Sequence, residues 1–187
     1  GFFAYGMRNG YVSGHPTKDL ITASDQQGNW VPSTPFHIVR PDSFLGYQPG
    51  APTKETEIQS PALWIPHRIA QSGIEQVWVT DKRMGALTDS ILYIEYKKPS
   101  LFRIYTPETS RMIQTAGTQL AVEFETPLLK GATNPSDGRP YFVGFQIWDS
   151  MAKRLEGLCR LRVLDKLDGA PESVEVVRDG VRLTFSE

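Results

Sequence analysis

The stretch SILYIEYKKPSLFRIYT (residues 90–106) contains two runs of Ile, Leu, Tyr and Phe separated by the polar segment KKPS. Short runs rich in β-branched and aromatic residues are typical of β-strands, and a proline among polar residues marks the turn between two of them. The stretch therefore predicts two neighbouring strands, with Lys97 and Lys98 closing the first before Pro99.

Similar segments occur along most of the chain, and they predict an all-β protein. They are EQVWVT (75–80), LAVEFET (120–126), RPYFVGFQIW (139–148), GLCRLRVL (157–164) and SVEVVRDGVRLTF (173–185). In the last of these, Asp179-Gly180 is a dipeptide typical of the type I′ turn of a tight hairpin. Turn residues bound each segment, in keeping with 16 glycines and 14 prolines among 187 residues. A helix of one or two turns is expected only in SMAKRLEGL (150–158).

Many short strands without helical crossovers leave a sandwich, a barrel or a propeller. Two features favour the propeller. The segments GHPTKDLITASDQQG (14–28) and PSDGRPYFVGF (135–145) both read as turn, strand and loop, as in the inner half of a propeller blade. Long stretches rich in Gly, Pro and Thr, such as GYQPGAPTKETEIQSPALW (46–64), separate the strand groups at about the spacing of four-stranded blades.

Composition excludes several classes of function. A net charge of −1 gives no electrostatic reason to bind nucleic acid or an anionic membrane. No apolar run is long enough to span a membrane, and the length favours one domain with one sizeable core. One cysteine excludes an internal disulfide framework and a CxxC metal site. Common hydrolase, zincin and nucleotide-binding motifs are absent from the sequence.

Three kinds of residue could carry chemistry. The guanidinium of Arg8 could hold an anion or stabilise charge that develops in a reaction, although a structural salt bridge is the ordinary role of one arginine. Gly28 and Asn29 lie in a loop that offers amide and carbonyl oxygens to a cation such as calcium. Lys97 and Lys130 stand at strand ends, where a lysine is either a solvated edge charge or an anion anchor.

The order of several motifs resembles a known family. GMRN (6–9) is followed by DQQGNW (25–30), DSFLGYQPG (42–50), LWIPHRIAQSGIEQVWV (63–79), DSILYIEYKKPSLFRI (89–104) and NPSDGRPYFVGFQIW (134–148). Over residues 1–165 this order resembles the soluble quinoprotein glucose and sorbosone dehydrogenases, which are six-bladed β-propellers. The combined sequence of these motifs is most similar to that of the large propeller dehydrogenases of planctomycete-type bacteria.

The resemblance implies an enzyme that transfers hydride from a sugar or alcohol carbon to pyrroloquinoline quinone with the help of calcium, in the periplasm or outside the cell. Arg8 matches the arginine beside the reacting carbon, and Asn9 matches a neighbouring cofactor contact. Lys97 matches a cofactor-binding lysine, and Lys130 stands at the second of two arginines that pair with the cofactor carboxylates. Gly28 and Asn29 fall, after a shift of one residue, in the calcium-binding loop.

Other positions depart from the pattern of the family. Leu128 replaces the first of the paired arginines, and Tyr11 stands where a cofactor-binding glutamine is expected. The family's general-base histidine comes from an earlier blade, and His67 does not match it. The resemblance thus implies the C-terminal half of a propeller, about three four-stranded blades over 1–165 and a trailing hairpin over 166–187. Another chain or a second copy would then supply the missing blades.

Three hypotheses follow. The first is a fragment of a quinone-dependent sugar or alcohol dehydrogenase, with Arg8, Asn29, Lys97 and Lys130 converging on one channel. The second is a propeller that serves as a binding or structural module after losing its cofactor site, which Leu128 and Tyr11 favour. In that case Arg8, Lys97 and Lys130 are expected to pair separately with surface carboxylates. The third is an unrelated β-sandwich.

Overall fold

The computed structural model describes residues 3–26, 31–106, 114–163 and 169–185. In chain order the strands are β1 (Ala4–Tyr5), β2 (Gly10–Gly14), β3 (Ile21–Asp25), β4 (Ser33–Ile38), β5 (Ser43–Phe44), β6 (Leu63–Pro66), β7 (Gly73–Val79), β8 (Ser90–Glu95), β9 (Ser100–Tyr105), β10 (Gly117–Glu123), β11 (Lys130–Thr133), β12 (Pro140–Phe145), β13 (Glu156–Arg160), β14 (Ser173–Val177) and β15 (Gly180–Thr184). Two short 3₁₀ helices, Gln48–Gly50 and Lys82–Leu87, complete the regular structure of these residues. Within the described ranges no helix has the length and apolarity that crossing a membrane requires.

Three antiparallel sheets make up most of the described chain. The first sheet has the strand order β2-β3-β4-β6, the second has β7-β8-β9-β10, and the third has β11-β12-β13. Consecutive strands pair within each sheet, as in a meander, and the first strand of each sheet lies at its edge. Strand β7 contacts both β2 and β11, so the three first strands lie side by side and the sheets fan out from them. This is the arrangement of successive propeller blades.

Two apolar cores hold the sheets face to face. The core between the first and second sheets contains Phe36, Ile65, Ile91, Tyr93 and Phe102, among others. The core between the second and third sheets contains Val77, Leu92, Ile94, Leu101 and Phe142, among others. The second sheet is therefore covered on both faces.

The second sheet lies between the first and the third, and this position explains why β8 has a continuous apolar run. Its residues point alternately to the two faces, so Ile91 and Tyr93 enter one core while Leu92 and Ile94 enter the other. All six residues of β8 are buried. A strand covered on both sides reads as a continuous apolar run, whereas β12, with one covered face, alternates buried and exposed residues.

Two smaller sheets flank this arrangement. Strands β1 and β5 pair in parallel beside the first sheet, and β14 and β15 form a hairpin that pairs with no other described strand. The hairpin predicted at 173–185 is confirmed, but its turn differs by one residue. Val177 pairs with Gly180, so the two turn residues are Arg178 and Asp179.

The helix expected at 150–158 is wrong. Residues 150–155 form no helix, and β13 begins at Glu156. The cause is tertiary. The Ser150 hydroxyl donates to the Tyr96 carbonyl oxygen at 3.0 Å, and the Met151 N–H donates to the Lys97 carbonyl oxygen at 2.8 Å, which ties this segment to the turn after β8.

The described residues form two four-stranded sheets and one of three strands, where about three four-stranded blades were expected. The division into a partial propeller at 1–165 and a trailing hairpin at 166–187 stays a prediction.

Candidate functional site

The starts of β2 and β7 lie at one end of the fan and border a pocket of about 230 Å³. Asn9 and Tyr11 line it from the start of β2, and Gly73 and Ile74 line it from the start of β7. Gln26, Ser72 and Trp148 complete the lining. Because neighbouring strands run antiparallel, the ends of β3, β8 and β12 lie at this same end of the sheets. Among the described residues predicted to take part in catalysis or cofactor binding, Arg8 and Asn9 precede β2, Lys97 follows β8, and Lys130 is the first residue of β11, all at this end.

A buried carboxylate fixes the backbone of Arg8 and Asn9. Asp25 at the end of β3 is 0% exposed, and its two oxygens accept the N–H of Arg8 at 3.0 Å and the N–H of Asn9 at 2.7 Å. Carboxylates that accept backbone N–H groups make stronger hydrogen bonds than neutral acceptors do. Asp25 therefore holds the bend that brings Asn9 to the pocket wall.

The side chain of Arg8 lies beside the pocket and contacts the residue after Asp25. Its Nη1 donates to the Gln26 carbonyl oxygen at 3.1 Å and to Gln26 Oε1 at 2.8 Å. Gln26 lines the pocket, so the guanidinium is one residue removed from the pocket wall. Arg8 itself is exposed. It is paired with an amide and a carbonyl rather than with a carboxylate.

The two predicted lysines are each paired with a carboxylate. Lys97 Nζ is paired with Asp149, which follows the pocket residue Trp148. Lys130 Nζ lies 2.5 Å from Glu75 Oε2, which joins the start of β11 to the start of β7. Neither lysine is among the residues that line the pocket. The structure thus places Arg8, Lys97 and Lys130 at the same end of the sheets, but their charged groups contact three different partners.

Trp148 is held at the pocket by contacts with a tyrosine that the sequence analysis did not single out. The buried Tyr96 hydroxyl accepts the N–H groups of Ile147 at 2.8 Å and Trp148 at 3.1 Å, and it donates to the Trp148 carbonyl oxygen at 2.9 Å. The two aromatic rings also pack with their centroids 4.7 Å apart. The contacts of one hydroxyl group therefore place the loop that carries both Trp148 and Asp149. In the sequence, Tyr96 is one more aromatic residue at a strand end.

A second buried carboxyl group lies next to the pocket residues Ser72 and Gly73. Glu95 is 1% exposed and accepts N–H groups from Ser72, Lys97 and Lys98 at 2.9, 2.9 and 3.2 Å. Burial raises the pKa of Glu95 to about 7, although the three N–H groups act in the opposite direction. Glu95 titrates near neutral pH, yet its hydrogen bonds give it a structural role in closing the turn between β8 and β9.

Buried contacts join β2, β3 and β7 at the end of the sheets where the pocket lies. Gln76 is 3% exposed, and its Nε2 donates to the Tyr11 carbonyl oxygen at 2.9 Å and to Ser24 Oγ at 3.3 Å. These bonds hold Tyr11, which lines the pocket where the family pattern has a glutamine. Leu128, where the pattern has an arginine, is 0% exposed and lies in the core between the second and third sheets. That position supplies no charge to the pocket.

The predicted calcium ligands Gly28 and Asn29 lie outside the described residues. Across the ranges that the structure does describe, no group of three or more His, Cys, Asp or Glu side chains is placed to hold a metal ion. The calcium site stays a prediction.

Comparison with known proteins identifies the fold. No family model matches the chain, and no curated protein matches it. Among solved structures, a glucose dehydrogenase is 16% identical with a TM-score of 0.65 over 87% of this chain and 46% of its own. The apo form of the soluble aldose sugar dehydrogenase from Escherichia coli is 11% identical, with a TM-score of 0.59 over 75% of this chain and 43% of its own. The PQQ-bound form of an aldose sugar dehydrogenase from Streptomyces coelicolor is 18% identical, with a TM-score of 0.55 over 75% and 38%.

These similarities show the fold, since identities are below 20%. The similar structures are β-propeller sugar dehydrogenases, so the chain has the all-β fold predicted from its sequence. The chain spans about half the length of the structures that it matches.

Proposed function

We propose that this chain forms part of a sugar or alcohol dehydrogenase that uses pyrroloquinoline quinone, and that the pocket is the part of the active site that it contributes. The observation that carries the proposal is the pocket itself, which lies where the first strands begin in a fold similar to sugar dehydrogenases. Its volume of about 230 Å³ is below the roughly 300–1,000 Å³ of complete ligand sites, which fits a partial site. Under this proposal the protein acts in the periplasm or outside the cell.

The polar groups at the pocket fit a planar ligand with several carboxylates. Asn9 and Tyr11 offer hydrogen-bond donors from the wall, and Arg8 lies beside Gln26 at the rim. Lys97 and Lys130 are neutralised by Asp149 and Glu75. Asp149 is 83% exposed, so an anionic ligand could displace it from Lys97 at small cost. Glu75 is only 16% exposed, so its displacement from Lys130 would leave a mostly covered carboxylate without its partner.

The roles follow from these positions. Asn9, Lys97 and Lys130 would bind the carboxylates and ring oxygens of the cofactor, and Arg8 would stabilise negative charge that develops on oxygen. Gly28 and Asn29 would supply oxygen ligands to calcium. When bound, pyrroloquinoline quinone would supply the two-electron oxidant that no side chain of this protein provides.

Calorimetric titration of pyrroloquinoline quinone into the purified chain, with and without calcium, tests the proposal. We expect saturable binding that calcium strengthens and that Arg8→Ala weakens at least tenfold. Arg182→Ala is the matched control, because it removes an exposed arginine that is paired with Glu175 on the β14–β15 hairpin. Binding that Arg8→Ala leaves unchanged would contradict the role given to Arg8, and absence of binding by a folded sample would leave either a non-catalytic propeller or a site that needs the missing blades.

A second candidate function is a propeller module that binds or supports a partner without catalysis. Its supporting observations are the separate carboxylate partners of Lys97 and Lys130 and the burial of Leu128 where the family pattern has an arginine. Sugar-dependent reduction of a redox dye by the quinone-loaded chain would favour the dehydrogenase over the module. Quinone binding without dye reduction fits the module and also a partial site whose general base lies on the missing blades.

A further inference from the structure

Trp148 is the residue that the third sheet adds to the pocket. It lies in the segment between β12 and β13, whereas the other lining residues lie on or beside strands of the first and second sheets. The pocket therefore keeps its shape only if this segment is held against the second sheet.

The Tyr96 hydroxyl holds the segment with all of its hydrogen-bonding capacity. It accepts the N–H groups of Ile147 at 2.8 Å and Trp148 at 3.1 Å, and it donates to the Trp148 carbonyl oxygen at 2.9 Å. A hydroxyl offers one donor and two acceptor lone pairs, so this group is fully used. Because the N–H and the carbonyl of Trp148 bind one oxygen atom, the backbone of that residue is fixed from both sides.

The indole ring of Trp148 has one supported side and remains accessible. Its centroid lies 4.7 Å from that of the Tyr96 ring, at an interplanar angle of 45°. Tyr96 is 0% exposed, whereas Trp148 is 45% exposed. The buried phenol ring is thus a fixed support for the indole. An aromatic surface that is already in place binds a ligand at a low cost in conformational entropy.

Positive charge lies close to this aromatic surface. Lys97 pairs with Asp149, the residue that follows Trp148, and the exposed Asp149 can be displaced at small cost. The Arg8 guanidinium donates to Gln26 Oε1 at 2.8 Å, and Gln26 also lines the pocket. These contacts favour a ligand that combines a flat conjugated ring with negative charge at its edge.

We propose that the indole of Trp148 binds the flat face of a conjugated anionic ring, and that Tyr96 is the positioning residue that holds the indole in place. The inference rests on the proposed function, in which the ring belongs to pyrroloquinoline quinone, and it adds two residues to that site. Removing an aromatic side chain on which a planar ring stacks weakens binding by about five- to 150-fold in proteins that bind single-stranded nucleic acids. A loss in this range is expected for the quinone.

Nuclear magnetic resonance of the indole N–H groups tests the contact directly. Loss of one resonance in Trp148→Phe assigns the Trp148 indole, which should shift when pyrroloquinoline quinone is added up to millimolar concentration. Citrate, an anion with three carboxylates and no ring, should shift it far less. The Trp64 indole is the internal control, since Trp64 is 47% exposed and does not line the pocket.

Two substitutions separate stacking from apolar burial. Trp148→Leu should weaken quinone binding at least fivefold in calorimetric titration, because leucine fills space without offering a ring. Trp148→Phe should keep most of the affinity, because it retains a smaller ring. Trp64→Leu is the matched control and should leave the affinity unchanged.

Tyr96→Phe tests the positioning role. It keeps the supporting ring but removes the hydroxyl, so it should lower the heteronuclear Overhauser effect of the Trp148 indole and weaken quinone binding at least fivefold. A merely structural role for Tyr96 would lower stability and leave the indole rigid in the folded protein. Tyr141→Phe is the matched control, since it removes a hydroxyl that donates to Asp137 at 2.8 Å near the other end of β12.

Three results would overturn the inference. An indole of Trp148 that does not shift at millimolar quinone would remove the contact. Trp148→Leu that binds as tightly as the wild type would remove the stacking role, while quinone binding, and with it the proposed function, would stand. An indole that stays rigid in Tyr96→Phe would remove the positioning role.

Discussion

Replacing Asp25 by Asn should destabilise the protein and release the backbone at Arg8 and Asn9. The two Asp25 oxygens accept N–H groups at 3.0 and 2.7 Å from a fully buried position. An asparagine keeps one acceptor and turns its NH₂ group toward the other N–H, so one hydrogen bond is lost and two donors face each other. A hydrogen bond to a charged group contributes about 1.5–3 kcal/mol, and an unpaired buried donor costs about 1–3 kcal/mol.

We therefore expect a loss of about 3 kcal/mol in the free energy of unfolding. At about 2–4 °C per kcal/mol for a chain of this size, the melting temperature should fall by about 6–12 °C. Urea denaturation measures the free energy, and amide hydrogen exchange followed by NMR measures protection at Arg8 and Asn9. Protection should fall by more than the global loss explains at whichever of these two amides faces the new NH₂ group, because that amide has lost its acceptor.

The control is Asp19→Asn, which changes an exposed aspartate in the turn between β2 and β3. It should change the free energy of unfolding by less than about 0.5 kcal/mol. The reasoning is refuted if Asp25→Asn behaves like this control, with unchanged exchange at Arg8 and Asn9. In that case Asp25 would not be what holds the pocket-facing bend.

Three further predictions concern groups buried between or beneath the sheets. Burial raises the pKa of Glu95 from 4.5 to about 7, so protonation of Glu95 stabilises the folded state. This stabilisation is fully present below pH 4.5, and about 3 kcal/mol of the free energy of unfolding is lost as the pH rises through 7. Urea titrations from pH 4 to 8 should show this loss in the wild type relative to Glu95→Gln, and a constant difference between the two would contradict it. Burial lowers the pKa of His37 from 6.5 to about 4, and the ring nitrogens have no partner among the described atoms. Stability from neutral His37 is present above pH 6.5 and lost as the pH falls through 4, so His37→Leu should shift acid unfolding, followed by tryptophan fluorescence, to lower pH; an unchanged midpoint would count against this. Arg103 is 2% exposed and donates to the carbonyl oxygens of Pro171 at 2.8 Å and Glu172 at 3.1 Å, which anchor the β14–β15 hairpin to β9. Arg103→Met should cost at least about 3 kcal/mol and speed proteolysis within 169–185, whereas Arg182→Met should do neither, and equal cleavage rates would disprove the anchor.

Structural features that depend on residues close together in the sequence could be predicted. Runs of β-branched and aromatic residues identified β7, β8, β9 and β12, and the Asp-Gly dipeptide located the turn of the terminal hairpin to within one residue. The order of motifs pointed to the propeller fold that similar structures then confirmed. The helix expected at 150–158 failed because local propensity is weak there, while hydrogen bonds to Tyr96 and Lys97 are specific.

The candidate site was only partly predictable. The sequence placed Arg8, Asn9, Lys97 and Lys130 beside strand ends, and antiparallel pairing brings these ends to one side of the sheets. It could not show that Lys97 pairs with Asp149 or that Lys130 pairs with Glu75, because these partners are 52 and 55 residues away in the chain. Nothing in the local sequence pattern identified Trp148 as a pocket residue, because its position depends on hydrogen bonds to Tyr96 that form only in the folded chain.

The sequence by itself determined that the chain is built from short antiparallel strands, because strand formation depends on side-chain shape and on turn residues close by. Only the tertiary structure decided which face of each strand is covered. Tyr93 and Phe145 are both large aromatic residues in strands, yet Tyr93 is 0% exposed and Phe145 is 57% exposed. The difference arises because the second sheet lies between two others, whereas among the described residues the third sheet packs against the second sheet only.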